Sequence, residues 1–561
     1  MLLVQYQNRT FFCIIIFEVY WWSRKGSLRQ TAEVNPALSM ELSTNVTFLL
    51  FAVLFLLVIF LVYTQLVSGQ ENWTKYGVKQ VTMSKQALID FSKAVKEIIT
   101  NHGDTVGVTR GGMFLITRDT ELLKNIMGKD FNSFADRIEF MTTVSPMEHG
   151  LFFINGQDWK RIRQVMSPSF STGKLKSVVW NIEDTAKKLA SVIEECARKG
   201  QLVPIKHFTS QYTSEVIARS AFGLKTDCLG KEDDEFTHFT KVMFKVRSKA
   251  MNVVMLIMFR FKWLHRLLVK TFKIGILDQV SLEADHYFNK LLMQVVQERQ
   301  KCELHGKDKP TDFLQYLVSA KVAGETQVEE RPATPVVFKR LKLQRTLSER
   351  ELIGQSMLII FAGFETTATT LQFCLYLLAK HQDIQEKVYH EIQRVVTSDS
   401  PTYEELMELK YLEQVLSETL RLYPPIPLVN RMARETKHYG NIVIPKGAGI
   451  LIPLDLVMKD PRNFEDPERF DPDRFSDENV HQIDPIQFTP FGYGPRKCIG
   501  MRLAYLELKV GLVHVLRRVK FELNARTEPT PDRDVSTSFQ GILVVDKPIQ
   551  LSVVCRHVQM K

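Results

Sequence analysis

Cysteine is scarce in this sequence, and no two cysteines have the spacing of a structural pair. The 561 residues include seven cysteines, an odd number, and no Cys-x-x-Cys motif occurs. This distribution excludes a disulfide-stapled fold and a zinc site built from cysteine pairs. It is typical of a domain that faces a reducing compartment such as the cytosol.

Signals for β-strands are also few. Helical periodicity of apolar residues predicts helices at 86–100, 175–199 and 281–300. Strand-like segments are confined to a hairpin at 105–117 and to two short strands within 441–456. We therefore predict a mainly α fold with a minor β part, and a hydrophobic content of 45% is sufficient for a large core.

Sequence signatures of nucleic-acid binding are absent, although the formal net charge is +10. Lysines and arginines are dispersed along the chain rather than concentrated in one run, which argues against a nucleic-acid partner. The positive charge instead favours anionic membrane lipid or an acidic protein partner.

Charged residues are missing from 46–67, where the chain reads VTFLLFAVLFLLVIFLVYTQLV. A helix of this length spans about 33 Å, which is sufficient to cross the hydrocarbon core of a bilayer. We predict a membrane anchor at 40–70, with its transmembrane helix at 46–67. Lys75, Lys79 and Lys85 follow the anchor, and they predict a single-pass topology with the rest of the chain in the cytosol.

Residues 1–39 do not fit this topology. The apolar run at 11–22 is too short to span a bilayer, and Arg24 and Arg29 would place positive charge on the opposite side of the anchor. We interpret 1–39 as an atypical extension, either non-native or an artefact of gene prediction, and we expect translation to begin at Met40.

A lone cysteine lies in a glycine-rich loop near the C-terminus. The segment FGYGPRKCIG at 491–500 contains Cys498, and a predicted helix follows from Met501. Glycines permit positive φ and close approach, so that backbone N–H groups can converge on the sulfur. The positive end of the following helix adds to this effect. The sequence therefore predicts a thiolate that acts as a nucleophile or as a metal ligand.

The loop resembles the haem-binding loop of the cytochrome P-450 superfamily, the haem-thiolate monooxygenases, and it matches the pattern Phe-x-x-Gly-x-Arg-x-Cys-x-Gly in full. The resemblance implies haem b with Cys498 as the proximal iron ligand, Arg496 on a haem propionate, and Phe491 packed near the sulfur. Gly500 completes this cofactor-binding loop. The implied fold is the P-450 fold, with one haem-binding catalytic domain at 71–561.

Two features place the resemblance within the superfamily. The N-terminal anchor is similar to that of the microsomal animal members. A long polar stretch at 323–345, before the central helix, is similar to an insertion in thromboxane synthase, a neighbour of the 3A-type enzymes. The chain departs from the family at 68–84, which contains no proline where members have a proline-rich hinge.

The central helix is predicted to begin near Ser348, in a capping box with Glu351, and to run to about Lys380. Near its middle stands AGFETT at 362–367, in which glycine and threonine are poor helix formers and an acid interrupts an apolar stretch. Such locally unfavourable residues predict a functional distortion of the helix.

This motif resembles the oxygen-activating signature of the family. The resemblance implies that Thr366 contacts bound oxygen and that Glu365 joins a proton relay, since oxygen activation requires protons. Ala362 and Gly363 would line the distal face of the haem. Because thromboxane synthase lacks the acid–threonine pair, the pair favours monooxygenation over isomerisation.

The remaining motifs are basic or ionic. Glu418 and Arg421 lie one helical turn apart and resemble the buried Glu-x-x-Arg pair of the family, with Arg474 as its third, structural member. Two further matches imply residues that bind the haem propionates; they are Trp159 and Arg163, which fit Trp-x-x-x-Arg, and Arg431, which follows a Pro-Pro pair.

Together these resemblances imply a monooxygenase that uses O₂ and NADPH-derived electrons to hydroxylate or epoxidise a steroid, fatty acid or xenobiotic. The implied partners are NADPH-cytochrome P-450 reductase, with cytochrome b5 as a second candidate, at the endoplasmic reticulum membrane. Two alternatives stay open, a haem-thiolate isomerase of a lipid endoperoxide and a non-catalytic haem sensor. Motif offsets predict a substrate pocket lined by Phe361, Phe364, Ile426, Leu428 and Phe539.

Overall fold

The structure is a computed structural model that describes residues 72–82, 91–109, 112–138, 145–244, 281–304, 312–319, 347–539 and 541–556. The predicted anchor, the extension at 1–39 and the stretch at 323–345 lie outside these residues. The prediction of a mainly α fold with a minor β part is confirmed.

Helices form most of the described chain. Their bounds follow the sequence prediction closely, since the segments predicted at 175–199 and 281–300 correspond to α4 and α7. The helices are α1 (Phe91–His102), α2 (Thr120–Lys124), α3 (Gly156–Met166), α4 (Thr172–Arg198), α5 (Ile205–Phe222), α6 (Glu235–Met243), α7 (Leu282–Leu304), α8 (Glu349–Lys380), α9 (Gln382–Val395), α10 (Tyr403–Glu408), α11 (Lys410–Leu422), α12 (Leu454–Met458) and α13 (Met501–Leu516).

The strands form a mixed sheet and three smaller pairings. They are β1 (Lys79–Val81), β2 (Thr105–Thr109), β3 (Met113–Thr117), β4 (Val203–Pro204), β5 (Leu428–Met432), β6 (Lys437–Tyr439), β7 (Ile442–Ile444), β8 (Gly449–Pro453), β9 (Val519–Glu522), β10 (Thr537–Phe539), β11 (Leu543–Val545) and β12 (Gln550–Cys555). The five-stranded sheet has the order β1-β2-β3-β8-β5. The hairpin predicted at 105–117 is the antiparallel pair β2–β3.

The two strands predicted within 441–456 exist, but they do not pair with each other. Strand β7 pairs with β6, whereas β8 joins the large sheet between β3 and β5. The Pro-Lys-Gly turn therefore connects two separate sheets. Tertiary packing, rather than the local sequence, decides which strands β7 and β8 pair with, because either partner satisfies the backbone hydrogen bonds of a short strand.

Helix α8 is the central element. Ser348 and Glu351 form the predicted capping box, in which Glu351 N donates to Ser348 Oγ at 3.2 Å and Ser348 N donates to a Glu351 carboxylate oxygen at 2.8 Å. Within the described chain, α8 is the one helix long and apolar enough to cross a membrane, but 72% of its apolar window is buried. It is therefore the core helix of the domain.

A buried ion pair connects helix α11 to the segment that leads towards Cys498. Glu418 and Arg421 are both fully buried, and the carboxylate accepts from Arg421 Nε at 2.6 Å and Nη2 at 2.8 Å. Arg474 Nε lies 3.4 Å from the same carboxylate, which also accepts from Asp471 N at 2.9 Å. Because every member is buried or partly buried, the network fixes the position of this segment on α11.

Candidate functional site

The loop at 491–500 is closed by its own backbone. Cys498 N donates to Phe491 O at 2.9 Å, and Gly492 and Gly494 have φ of 76° and 70°. A Cβ atom at Gly494 would lie 1.9 Å from Met127 O. The close approach of this backbone therefore requires glycine, and it holds the loop against the turn that follows α2.

The cysteine side chain is solvent-accessible, and we call the accessible space beside it the cavity. Cys498 is exposed by surface area, yet the protein around it is dense enough that burial is the main influence on its pKa, which is raised. The Gly500 N–H and the charge of Arg163 act in the opposite direction. Together these two influences lower the pKa less than burial raises it. A bound metal ion would favour the thiolate that the sequence predicts, because a coordinating thiol is deprotonated.

The middle of helix α8 opens onto solvent-accessible space. Ala362 is exposed, and Phe361, Gly363 and Thr366 are half-buried, although the turns on both sides of this window are almost entirely buried. Ala362 and Thr366 lie one turn apart and therefore on one face. This face contains the small residue and the hydroxyl of the predicted signature.

The prediction that α8 is distorted near its middle is wrong, because the helix is α-helical from Glu349 to Lys380. The threonines are accommodated by bonding back to the helix: Thr366 Oγ1 donates to Ala362 O at 2.7 Å, and Thr370 Oγ1 donates to Thr366 O at 2.9 Å. These bonds leave the i→i−4 backbone ladder intact. In this state the Thr366 hydroxyl presents acceptor lone pairs to the accessible space at this face of α8.

Glu365 is directed away from that window, towards helix α5. Its side chain is almost buried, and Oε1 lies 2.6 Å from Lys206 Nζ, which also donates to Thr369 Oγ1 at 3.1 Å. Burial lowers the pKa of Lys206, and the charge of Glu365 opposes this shift. The sequence analysis missed Lys206, because the pairing joins residues more than a hundred positions apart.

Four arginines lie close enough to interact electrostatically with one another, and two of them, Arg137 and Arg163, also with Cys498; the group consists of Arg137, Arg163, Arg431 and Arg496. Burial lowers the pKa of Arg431 to about 10 and that of Arg496 to about 9. Burial also lowers the pKa of Arg137, as do the charges of Arg431 and Arg496. Among the described residues, none of the four forms an ion pair with a carboxylate. Such a concentration of positive charge is costly unless an anion neutralises it.

The contacts of these arginines leave two donors without a partner in the described part of the chain. Arg496 Nε donates to Ala135 O at 2.7 Å, its guanidinium carbon lies 4.5 Å from the centroid of the Trp159 ring, and Nη1 has no hydrogen-bond partner among the described residues. Arg431 Nη1 donates to Asn430 O at 2.7 Å, while Nε has no partner within the residues that the structure describes. The sequence analysis missed Arg137, since its motif was not recognised.

The predicted pocket residues divide into two groups. Phe361 is half-buried and stacks on Phe244, with ring centroids 4.7 Å apart, and Ile426, Leu428 and Phe539 are also half-buried. Phe364 is only 1% exposed and packs within a core cluster, so its assignment to the pocket is wrong. The helix turns Phe364 away from the face that Ala362 shares with Thr366.

Helix α3 and the loop place the remaining predicted residues. Trp159 is buried on α3, and Arg163 follows it by one turn with burial lowering its pKa. The Phe491 ring lies 5.5 Å from the Tyr505 ring on α13. The loop, α3 and β5 thus contribute Cys498, Arg163 and Arg431 to one electrostatic cluster, while Phe361 of the α8 window and Ile499 of the loop pack against the same apolar core cluster.

Comparison with known proteins identifies the family of this chain. The sequence model of the cytochrome P450 family matches residues 81–553. The chain is 34% identical to cytochrome P450 3A41 of Mus musculus over 467 residues, which is 82% of this chain and 87% of the relative. It is 32% identical to cytochrome P450 3A7 of Homo sapiens over 446 residues, 79% of this chain and 83% of the relative. The chain belongs to the cytochrome P450 family.

Proposed function

We propose that Cys498 is the proximal ligand of the haem iron in a monooxygenase of lipophilic substrates. The protein is a cytochrome P450 monooxygenase, an oxidoreductase that uses haem with a cysteine thiolate ligand and receives electrons from an NADPH-dependent reductase. The observation that best supports this proposal is the group of four arginines near the accessible Cys498. None of them has a carboxylate partner among the described residues.

The residues present fit haem. Haem carries two propionate carboxylates, and the free donors Arg431 Nε and Arg496 Nη1 are buried groups that require an acceptor. Arg137 and Arg163 add two cations, and Trp159 stacks on Arg496. We infer that these residues hold the propionates, because bidentate guanidinium–carboxylate contacts are among the strongest hydrogen bonds in proteins.

The haem supplies the activation of dioxygen when it is bound. The chain supplies the surroundings: Ala362 leaves space on the cavity face of α8, whereas Gly363 faces Ile217 of α5. Thr366 Oγ1, whose own proton is donated to Ala362 O, can accept a hydrogen bond at the cavity face. Glu365 Oε1 is held by Lys206 Nζ at 2.6 Å, so it can pass a proton towards Thr366 only when this contact loosens. Apolar and aromatic groups such as Phe361 favour a lipophilic substrate.

Partners and location follow from the same assignment. Lys497 and Arg502 are exposed on either side of Cys498 and would face an acidic redox partner. We propose NADPH-cytochrome P-450 reductase for this role, cytochrome b5 as a second donor, and the endoplasmic reticulum membrane as the location, with the catalytic domain on the cytosolic side.

Replacing Thr366 with alanine is expected to uncouple the reaction, because the hydroxyl that can accept a hydrogen bond from a proton donor at the cavity face is lost. Product formed per NADPH consumed should fall by roughly a hundredfold, the low end for general acid–base contributions. The missing reducing equivalents should appear as hydrogen peroxide. Both quantities are measured with the reconstituted holoenzyme and a lipophilic substrate.

Thr370 provides the matched control. It makes the same type of bond, to Thr366 O, but it is buried away from the window. The Thr370→Ala variant should keep its coupling. Substrate conversion that proceeds without NADPH and O₂, at a rate unchanged by Thr366→Ala, would instead support the endoperoxide isomerase.

The Arg137→Gln variant is expected to lose haem faster than the wild type. Hydrogen bonds to charged groups contribute about 1.5–3 kcal/mol, so dissociation should accelerate by roughly tenfold or more. Haem transfer to a scavenger protein measures this rate. Arg556, which pairs with Glu386 and lies outside the site, is the control for replacement of a partly buried arginine; equal rates in the two variants would contradict the assignment of Arg137.

A further inference from the structure

A segment of chain connects the central helix to the arginine group. We call residues 145–156 the strap. Gln355, which is fully buried on α8, contacts the backbone of the strap twice: Nε2 donates to His149 O at 2.5 Å, and Oε1 accepts from Leu151 N at 2.8 Å. One side chain thus satisfies two backbone groups of the strap at the surface of α8.

The strap also touches α8 through glycines. A Cβ atom added at Gly354 would lie 2.4 Å from Pro146 O, and one added at Gly150 would lie 3.2 Å from Leu358 Cβ. Real side-chain atoms do not approach a carbonyl as closely as the first distance. The seating of the strap on α8 therefore depends on the absence of a side chain at position 354.

The second half of the strap carries acceptors for the cavity arginines. Phe152 O accepts from Arg137 Nη1 at 3.0 Å, and Ile154 O accepts from Arg496 Nη2 at 2.9 Å. The Arg137 guanidinium also lies 3.9 Å from the centroid of the Phe152 ring. Contacts with α8 and contacts with the arginines are thus made within the same short stretch of backbone.

We propose that Gln355 is a positioning residue. It holds the strap against α8 and thereby fixes the position of the arginine group relative to the cavity face of that helix. The role of the arginines as propionate partners rests on the proposed function, whereas the seating of the strap does not. When the amide is removed, His149 O and Leu151 N lose their buried partners and regain them only in water. The strap then detaches from α8 and opens the adjoining cavity to solvent.

Hydrogen exchange of the strap amides in the purified full-length protein provides the first test. In Gln355→Leu the peptide that contains Leu151 should exchange roughly tenfold faster than in the wild type, as expected for the loss of a buried hydrogen-bond partner. The second readout is the rate at which imidazole binds and leaves the haem of the holoenzyme, followed by stopped-flow absorbance. This rate should rise by a comparable factor, because the opened strap exposes the cavity.

Gln385 is the matched control. It is also a fully buried glutamine, and it bonds to Leu378 O, Phe521 O and Phe521 N in a part of the core outside the site. Both Gln385→Leu and Gln355→Leu should lower the melting temperature, because each leaves buried backbone groups without a hydrogen-bond partner. Gln385→Leu should leave strap exchange and imidazole kinetics at the wild-type values.

Gly354→Ala perturbs the same contact without removing the amide. Alanine favours helix more strongly than glycine does, yet its Cβ would displace Pro146 from α8. We expect faster strap exchange and faster imidazole kinetics in this variant, with a melting temperature that falls less than that of Gln355→Leu. It also carries the test if Gln355→Leu does not fold.

The possible failures are distinguishable. If Gln355→Leu and Gly354→Ala exchange their strap amides at the rate of Gln385→Leu, the positioning role is overturned, whatever the haem does. If the strap opens in both variants but imidazole kinetics do not change, the strap does not control access to the cavity, which also overturns the proposal. If the wild type itself binds no haem through a thiolate, the proposed function fails while the hydrogen-exchange result stands.

Discussion

Replacing Cys498 with serine is expected to abolish monooxygenase turnover and the spectroscopic signature of thiolate ligation. A serine hydroxyl does not deprotonate near neutral pH, so the electron donation that a thiolate gives to the iron is lost. The ferrous carbon monoxide complex of the wild type should show a strongly red-shifted Soret band. The variant should lack this band, and its NADPH-dependent product formation should fall to the background rate.

Cys555→Ser is the control for this experiment. Cys555 is half-exposed on β12, and its Sγ lies 3.9 Å from Glu194 O, outside the site. The variant should retain both the spectrum and the turnover. An unaltered chromophore with undiminished activity in Cys498→Ser would remove the basis of the proposed function.

Replacing Arg421 with methionine is expected to produce the largest loss of stability. The substitution leaves the fully buried carboxylate of Glu418 without its bidentate partner, and breaking a buried pair costs about 3–5 kcal/mol. This is a large fraction of the about 5–15 kcal/mol that typically holds a domain folded. Most of the protein should therefore accumulate without haem or aggregate. Soluble yield, haem content and the melting temperature measure the effect.

The exposed pair Lys124–Glu121 offers a comparison with the same i, i+3 spacing. The two side chains lie 2.6 Å apart, and that of Glu121 is 72% exposed. Glu121→Gln should leave the melting temperature close to that of the wild type, because solvent screens an exposed pair. A similar loss in both variants would show that burial does not determine the contribution of the Glu418–Arg421 pair.

Local chemistry made several elements predictable. The capping box at Ser348 fixes the start of α8, because its two hydrogen bonds involve residues only three positions apart. The β2–β3 hairpin and the long helices are likewise properties of short segments, in which apolar periodicity matches one type of secondary structure. The loop at 491–500 was recognisable because closed geometry around a cysteine demands glycines at fixed places.

Other features could not be read from the order of residues. Phe364 and Phe361 lie in one motif, yet only the packing of α8 against its neighbours decides that Phe364 is in the core and Phe361 is near the cavity. Lys206 and Glu365 belong to separate helices, and their contact exists only after α5 packs on α8. The same is true of Gln355 and the strap.

The sequence by itself therefore determined the family, the candidate iron ligand and the oxygen-side motif, because each depends on closely spaced residue types. Only the tertiary structure decided how charge is distributed around the cavity. It brought Arg137 together with three arginines from distant segments, turned Glu365 towards Lys206, and surrounded the accessible Cys498 with enough protein to raise the pKa of its thiol. These outcomes depend on burial and on long-range contacts, which the order of residues does not specify locally.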